Sequence, residues 1–262
     1  MPIFDYVSLQ GSIYLADRDP VTGLPGKFTQ IGDCSEFKIT GNQDSFQVQE
    51  NRTGTRQIAN QIFKGALLSG SMNLRRFDPV NAAMLMYGAN VSVTSGNVTN
   101  ETFPAGLVVG DQVILAKPGK VSALTLVDST ATPITLVNGT HFTTDGYGLI
   151  NIISLTGLTQ PLKATTYTVA AANRVPILTG NSPIKWLRMV GLNTADLNDD
   201  GTPKRVQLDL RRVQFGILQD LSFIQESDYA AIPVNLTILK DPKVVASNTM
   251  SAYGEITYLD IT

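Results

Sequence analysis

Residues Arg205-Val-Gln-Leu-Asp-Leu-Arg-Arg-Val-Gln-Phe215 decide the fold class. Val206, Leu208 and Leu210 alternate with Gln207, Asp209 and Arg211, the period-two pattern of a strand with one buried face. At Arg211-Arg212 the phase flips, and Val213, Phe215 and Ile217 take the other parity. One extra residue there is a bulge that re-aims the strand. Upstream, Ile184 to Leu192 carries Ile184, Trp186, Val190 and Leu192 on one face and Leu187 and Met189 on the other, so this strand is expected to be covered on both sides. Downstream, Ile232, Val234, Leu236 and Ile238 mark a strand that Lys240-Asp241-Pro242 ends, because proline cannot donate to a ladder. A last strand is expected over Tyr253–Ile261.

Toward the N-terminus the pattern predicts strands over Ile3–Leu15, Phe28–Ile39, Phe46–Glu50 and Gly65–Phe77, the last with Leu68, Gly70, Met72 and Leu74 on one face. Turn residues punctuate the chain about every ten residues, the spacing of an all-β sandwich or barrel. One helix is expected. Asp78 is a good N-cap, Pro79 fits the first helical position, Val80–Tyr87 follow, and Gly88 suits a left-handed C-terminal cap. A helix this short draws its stability from packing on the sheet, here expected through Val80 and Met84. Between strands, Asn42 to Ile62 reads as a polar excursion too long for a hairpin turn, and Asn51-Arg-Thr-Gly-Thr-Arg56 has no apolar residue to anchor it. Long ordered loops in compact domains tend to be functional.

The 262 residues suit one to two domains. Between Ala89 and Asn173 lie only seven charged residues but 15 of the chain's 27 threonines, a shift that marks a β module inserted into the other domain. The expected division is residues 1–100 with 174–262 as one discontinuous β domain, and residues 101–173 as the insertion.

Twenty Lys and Arg against 22 Asp and Glu leave a net charge of −2, without the basic footprint of a dedicated nucleic-acid binder. Single residues of cysteine (Cys34) and histidine (His141) rule out an intrachain disulfide, a multi-cysteine metal site and any His-pair mechanism. Neither a membrane span nor a secretion signal is read, so synthesis in a reducing cytoplasm is expected, and six Asn-x-Ser/Thr sites count as composition rather than glycan acceptors.

Candidate chemistry is sparse. Asp196, Asn198, Asp200 and Gly201 occupy the first positions of a calcium loop, but position 12 is Gln207 where a bidentate glutamate is needed, so a β-turn is expected. His141 with Asp145 makes no triad without an activated nucleophile. Cys34 reads as a small strand residue. The doublets Arg75-Arg76 and Arg211-Arg212 read as charge pairs at subunit contacts or as solvated edge positions. Neither a catalytic residue, a metal ligand nor a cofactor site emerges, and the protein is expected not to be an enzyme.

Several pieces together resemble the major tail tube proteins of long-tailed, non-contractile (siphovirus-type) bacteriophages. They are Gly11-Ser-Ile-Tyr-Leu-Ala-Asp-Arg-Asp19 with Phe28-Thr-Gln-Ile-Gly-Asp33, the strand that runs into a capped helix over Leu74–Gly88, and Leu187-Arg-Met-Val-Gly-Leu-Asn-Thr194 followed by an acidic turn, Arg205–Phe215 and Val234–Pro242. Gly139-Thr-His-Phe-Thr-Thr-Asp-Gly146 and Gly148-Leu-Ile-Asn-Ile152 are similar to the immunoglobulin-like insertions common in that family. The resemblance implies an all-β fold, a tail-tube β-sandwich or partial barrel with one short α-helix and an inserted immunoglobulin-like β module. It implies a homo-oligomer, hexameric rings that stack into a tube around a tape-measure protein, with tail terminator and distal tail or baseplate proteins at its ends. DNA would pass through the lumen without sequence-specific binding, and the protein would reside in the virion tail after assembly in the host cytoplasm, with no membrane partner. Stacking needs an axial contact, and the residues expected to supply it are Asn51, Arg52, Thr53, Thr55 and Arg56, the arginines through charge-assisted bonds. The alternative from another class is an immunoglobulin-like cell-surface binding or adhesion protein, which shares the threonine richness and low charge but would carry a secretion signal.

Overall fold

The computed structural model describes residues 6–52, 54–117, 119–198, 200–224 and 231–259. The chain is all-β with a single short helix among those residues. In order come β1 (Leu9–Asp17), β2 (Thr29–Gln30), β3 (Cys34–Gln49), β4 (Ile58–Leu74) and α1 (Pro79–Leu85). Then come β5 (Val91–Val93), β6 (Gly96–Thr102), β7 (Gln112–Ile114), β8 (Val121–Val127), β9 (Phe142–Thr144), β10 (Leu149–Ile152), β11 (Lys163–Val169) and β12 (Ala172–Arg174). The chain closes with β13 (Ile184–Leu197), β14 (Pro203–Phe215), β15 (Ile232–Ile238) and β16 (Gly254–Tyr258). It divides into two compact units, residues 1–89 with 175–262, and residues 90–174.

The first unit is one antiparallel sheet in the order β2-β1-β13-β14-β15-β4-β3, with β16 also paired to β14. Its core gathers Ile13, Met72, Leu74, Leu85, Leu187, Val213, Phe215 and the inward residues of β15, where Ile232, Val234, Leu236 and Ile238 are all buried. The phase flip in β14 is a bulge. Lys185 pairs with Val213 and Leu187 with Leu210, so Arg211 and Arg212 together oppose Trp186. That extra residue turns Val213 and Phe215 into the core while Trp186 and Leu187 are buried on opposite faces of β13.

The helix starts as expected, with Asp78 accepting from the amides of Val80 and Asn81 at 3.1 and 2.8 Å. Met84 packs against the core as expected, while other details differ. Val80 is exposed, and the buried residues are Asn81, Ala82, Ala83 and Leu85. Tyr87, not Gly88, takes the left-handed conformation (φ 49°), and its hydroxyl is held by the Phe215 carbonyl at 2.9 Å. Gly88 is needed for a different reason, because a Cβ there would stand 2.0 Å from the Pro176 carbonyl oxygen.

The N-terminal strands are also rearranged. Described backbone becomes strand at Leu9, residues 3–5 lie outside the described residues, and β1 continues to Asp17. The expected strand over Phe28–Ile39 splits into β2 and the start of β3, and β3 absorbs the expected Phe46–Glu50 strand. At the C-terminus β16 ends at Tyr258, short of the expected Ile261, which lies outside the described residues.

The second unit has a core of its own, with Leu126, Ile150, Leu162, Ala164 and Tyr167 fully buried. It comprises the three-stranded sheets β6-β11-β8 and β7-β10-β9 and the β12-β5 pair. A boundary at residue 101 would cut β6, whose residues 96–102 pair with β11, so the module begins at Asn90. Tyr167 donates to Glu101 at 2.5 Å, and burial together with that carboxylate pushes the phenol up to about 12. Asp128, buried in the same unit, ties a loop by accepting from the amides of Ile134 (2.7 Å) and Thr159 (3.2 Å) and from the Thr130 hydroxyl (2.8 Å).

Candidate functional site

The stretch Asn42–Ile62 is not a loop. It is the outer half of a long hairpin in which β3 and β4 pair from Cys34↔Leu74 to Gln49↔Ile58. Sequence reading expects a strand over Phe46–Glu50, from Phe46 and Val48 alternating with Gln47 and Gln49, but misses the rest of the arm, because neither face is buried there and Asn51 to Arg56 has no apolar residue to mark a face. β15 supports β4 only over Leu68–Leu74. Beyond that point the hairpin is two strands wide, and the eight residues from Asn42 to Gln49 carry it about 25 Å at the rise of a β-strand. Opposite Asp44 and Ser45 the register skips Lys64, and Gly65 takes φ 154°, a bulge that bends the arm where a side chain would strain the backbone.

This arm carries exposed apolar side chains among its polar ones. Phe46 and Ile62 are cross-strand partners, each about half exposed, and Val48 lies two residues along on the same face. Phe63 stands opposite Ser45 on the other face, and Ile58 and Leu67 are exposed as well. The Lys64 ammonium sits 5.6 Å from the Phe46 ring centroid. A two-stranded ribbon alone is only marginally stable in water. The signal that could have found it is Phe46, Val48, Ile58, Ile62, Phe63 and Leu67 recurring in a stretch otherwise rich in Gln and Asn.

At the arm's tip the chain reverses, and the amide of Glu50 closes the turn onto the Gln57 carbonyl at 2.7 Å. Gly54 and Arg56 are both left-handed, with φ of 76° and 48°. Asn51, Arg52, Thr55 and Arg56 are all exposed here, so the structure gathers them at one tip, while Thr53 lies outside the described residues.

At its base the hairpin forms one wall of a groove of about 610 Å³. Cys34 to Phe37 and Ile39 make the wall, and the floor is laid by Leu9 of β1, Met189 of β13, Val206 and Leu208 of β14 and Ile256 of β16. Ile256 is 59% exposed and Leu9 41%. The Cys34 thiol donates to the Glu36 carbonyl at 2.9 Å. Burial raises its pKa above the usual thiol value, an effect that backbone hydrogen bonds only partly oppose, so it is not an activated nucleophile.

The other candidates are committed to local structure. Asp196 accepts from Lys204 at 2.9 Å, and Asp200 from the amide and hydroxyl of Thr202 at 2.9 and 2.6 Å, the geometry of a hairpin turn. His141 accepts the Val137 amide through Nδ1 at 2.9 Å, and Asp145 accepts the amides of Tyr147 and Leu149. The arginine doublets pair within the subunit. Arg75 meets Asp33 and Arg76 meets Asp78, Arg211 meets Glu255 and lies 5.4 Å from the Trp186 ring centroid, and Arg212 donates to the Lys240 carbonyl. Among the described residues, groups of acidic, histidine and cysteine side chains placed to hold a metal are absent, and no helix is long and apolar enough to cross a membrane.

The fold and its surfaces define an all-β, two-unit protein whose first unit carries a long hairpin arm with exposed apolar side chains and a groove lined by both apolar and polar residues. The chain belongs to the family described as Protein of unknown function UCP028589, which it matches over residues 6–257. None of the curated proteins matches it.

Proposed function

We propose that this protein is a structural subunit of a siphovirus-type phage tail, in which copies close into rings, hexameric as the resemblance implies, and the rings stack into a tube that conducts DNA. The observation that carries this reading is the projecting hairpin, with apolar side chains exposed on both faces and both outer strand edges unpaired beyond residue 68 among the described residues. Such edges invite pairing with another chain, and a protein that leaves them open at this length is built to assemble. The resemblance of Gly11–Asp19, Leu187–Thr194 and Arg205–Phe215 to tail tube proteins supports the particular assembly, as does a net charge of −2, which suits a conduit that must not grip phosphate. In this reading the partners are further copies, a tape-measure protein in the lumen, and terminator and distal tail proteins at the ends. Asn51, Arg52, Thr53, Thr55 and Arg56 supply contacts between rings, and the place of action is the virion tail.

Electron microscopy and sedimentation of the purified chain test the proposal. Rings or tubes of uniform diameter are expected at micromolar concentration. A species that stays monomeric to high concentration would favour the adhesion-module alternative instead.

A further inference from the structure

The β14 bulge sets two arginines side by side with different surroundings. Arg211 meets Glu255 at 3.3 Å and lies against the Trp186 ring. Arg212, partly buried, donates through Nη1 to the Lys240 carbonyl at 3.3 Å and meets no carboxylate among the described residues. Lys240 follows β15 and is exposed, and its ammonium likewise forms no ion pair among the described residues. The carboxylate that could balance them is the neighbouring Asp241, but it is already committed. Its side chain is 1% exposed, and it accepts from Arg18 and from the Lys243 amide, the latter at 2.9 Å. Arg212 and Lys240 stand together at an open concavity of about 610 Å³, whose other walls are Pro242, Val244, Val245 and Ala246.

We propose that this concavity binds a dianionic phosphate group, free or as the monoester of a small molecule, between the Arg212 guanidinium and the Lys240 ammonium. The proposal is independent of the assembly reading above. Two like charges at one rim repel each other, and an anion seated between them removes that repulsion and gains charge-assisted hydrogen bonds. Charge balance selects the anion. A phosphate monoester carries about two negative charges at pH 7 and neutralises both cations. A carboxylate or an internal phosphodiester of DNA carries one, so a passing duplex is not the preferred ligand. The two side chains divide the work by their chemistry. The planar guanidinium can hold two phosphate oxygens at once, and its bond to the Lys240 carbonyl holds it in place beforehand, while the ammonium acts as a point charge. The volume exceeds that of a bare phosphate and lies within the ~300–1,000 Å³ range of small-molecule sites, and the Pro242, Val244 and Val245 side chains offer an apolar wall to the body of a monoester.

Equilibrium dialysis of the full chain against radiolabelled inorganic phosphate, in chloride buffer near pH 7, measures binding in any state of assembly. Saturable uptake of one phosphate per chain is expected. Lys240→Gln and Arg212→Gln should each weaken it about tenfold, the worth of a hydrogen bond to a charged group. Arg212→Lys keeps the charge but loses the planar fork, and should recover only part of that loss. Cooperative melting checks that each variant folds, and Lys240, being exposed, serves where a change at Arg212 disturbs the strand. Lys27→Gln combined with Lys120→Gln removes two cations from exposed positions away from the concavity and should leave the affinity unchanged. Acetate should compete about tenfold less well than phosphate, because it carries one charge. Adenosine monophosphate as a competitor identifies the source of the phosphate group: tighter binding than inorganic phosphate means a monoester whose body lies on the apolar wall, and equal or weaker binding means free phosphate. Absence of saturable uptake at millimolar phosphate overturns the site. So does an equal loss in the Lys27 and Lys120 double variant, or equal competition by acetate. The assembly reading stands or falls separately, on whether rings or tubes form.

Discussion

Asp209 shows how a charged residue comes to lie inside a sheet. Its side chain is 5% exposed, and it accepts from Arg188 Nε at 2.7 Å, Gln207 Nε2 at 2.6 Å and Trp186 Nε1 at 3.2 Å. Burial pushes its pKa up, but the hydrogen bonds from Arg188, Gln207 and Trp186 outweigh it and hold the carboxyl below the usual range. A carboxylate whose folded pKa is depressed contributes stability that is present above its unfolded value of about 3.9 and is lost as pH falls through the folded value. Asp209→Asn should therefore cost about 1–3 kcal/mol at pH 7, the worth of hydrogen bonds to a charged acceptor. The gap in Tm between parent and variant should narrow below about pH 4; a gap of constant size from pH 3 to 7 would refute the ionised role. Asp241 makes a second case. It is buried against Arg18, which donates from Nε at 3.3 Å and also through Nη2. Asp241→Ala leaves the guanidinium uncompensated and should cost about 3–5 kcal/mol, whereas replacing both residues by apolar ones of similar volume should recover most of that. Chemical denaturation of the parent, the single variant and the double variant measures this, and a double variant no better than the single one would show that the pair's attraction, not the orphaned charge, dominates.

At the scale of elements the hairpin β3–β4 is the decisive piece. Its inner half is ordinary: Met72 and Leu74 are buried, β15 lies alongside, and the alternation of Leu68, Gly70, Met72 and Leu74 announces it. Its outer half has no buried face, because nothing among the described residues covers it. The tip residues are the place to probe stacking without touching the fold. Changing Arg52 and Arg56 together to Glu reverses two exposed charges, so stability should move by less than about 0.5 kcal/mol. Ring closure is expected to persist while long tubes are lost, with length distributions in the electron microscope as the measurement. Tubes as long as the parent's at equal concentration would remove these arginines from the axial contact.

For the whole molecule, the insertion is the feature that can be tested by excision. Val91 pairs with Arg174 and Val93 with Ala172 in an antiparallel ladder, so the two ends of the module lie side by side. Opposed Cα atoms in such a ladder are about 4.5–5.5 Å apart, a gap that two or three Gly/Ser residues span. Removal of residues 90–174 with that bridge should leave a cooperatively folding first unit that still assembles, and the excised segment, with its own core of Leu126, Ile150, Leu162 and Tyr167, should fold alone. Circular dichroism melting of both pieces decides it; aggregation of the shortened chain would show that the units depend on each other.

Read by itself, the sequence determined the all-β class, the bulge at Arg211-Arg212, the Asp78 cap and the compositional edge of the insertion. Each of these is written in local periodicity or in one residue's backbone preference, and so is visible in a short window. It also placed Arg52 and Arg56 together, since they share one turn. Tertiary structure alone decided that Asn42–Ile62 is a hairpin arm, that Val80 faces water while Asn81 is buried, and that residues from β1, β3, β13, β14 and β16 converge on one groove. The physical reason is that each depends on which distant segments of the chain cover a residue. Apolar residues exposed on both faces of a ribbon, Phe46 and Val48 on one and Phe63 on the other, do not mark one buried side, and a surface assembled from strands far apart in sequence exists only once long-range register is set.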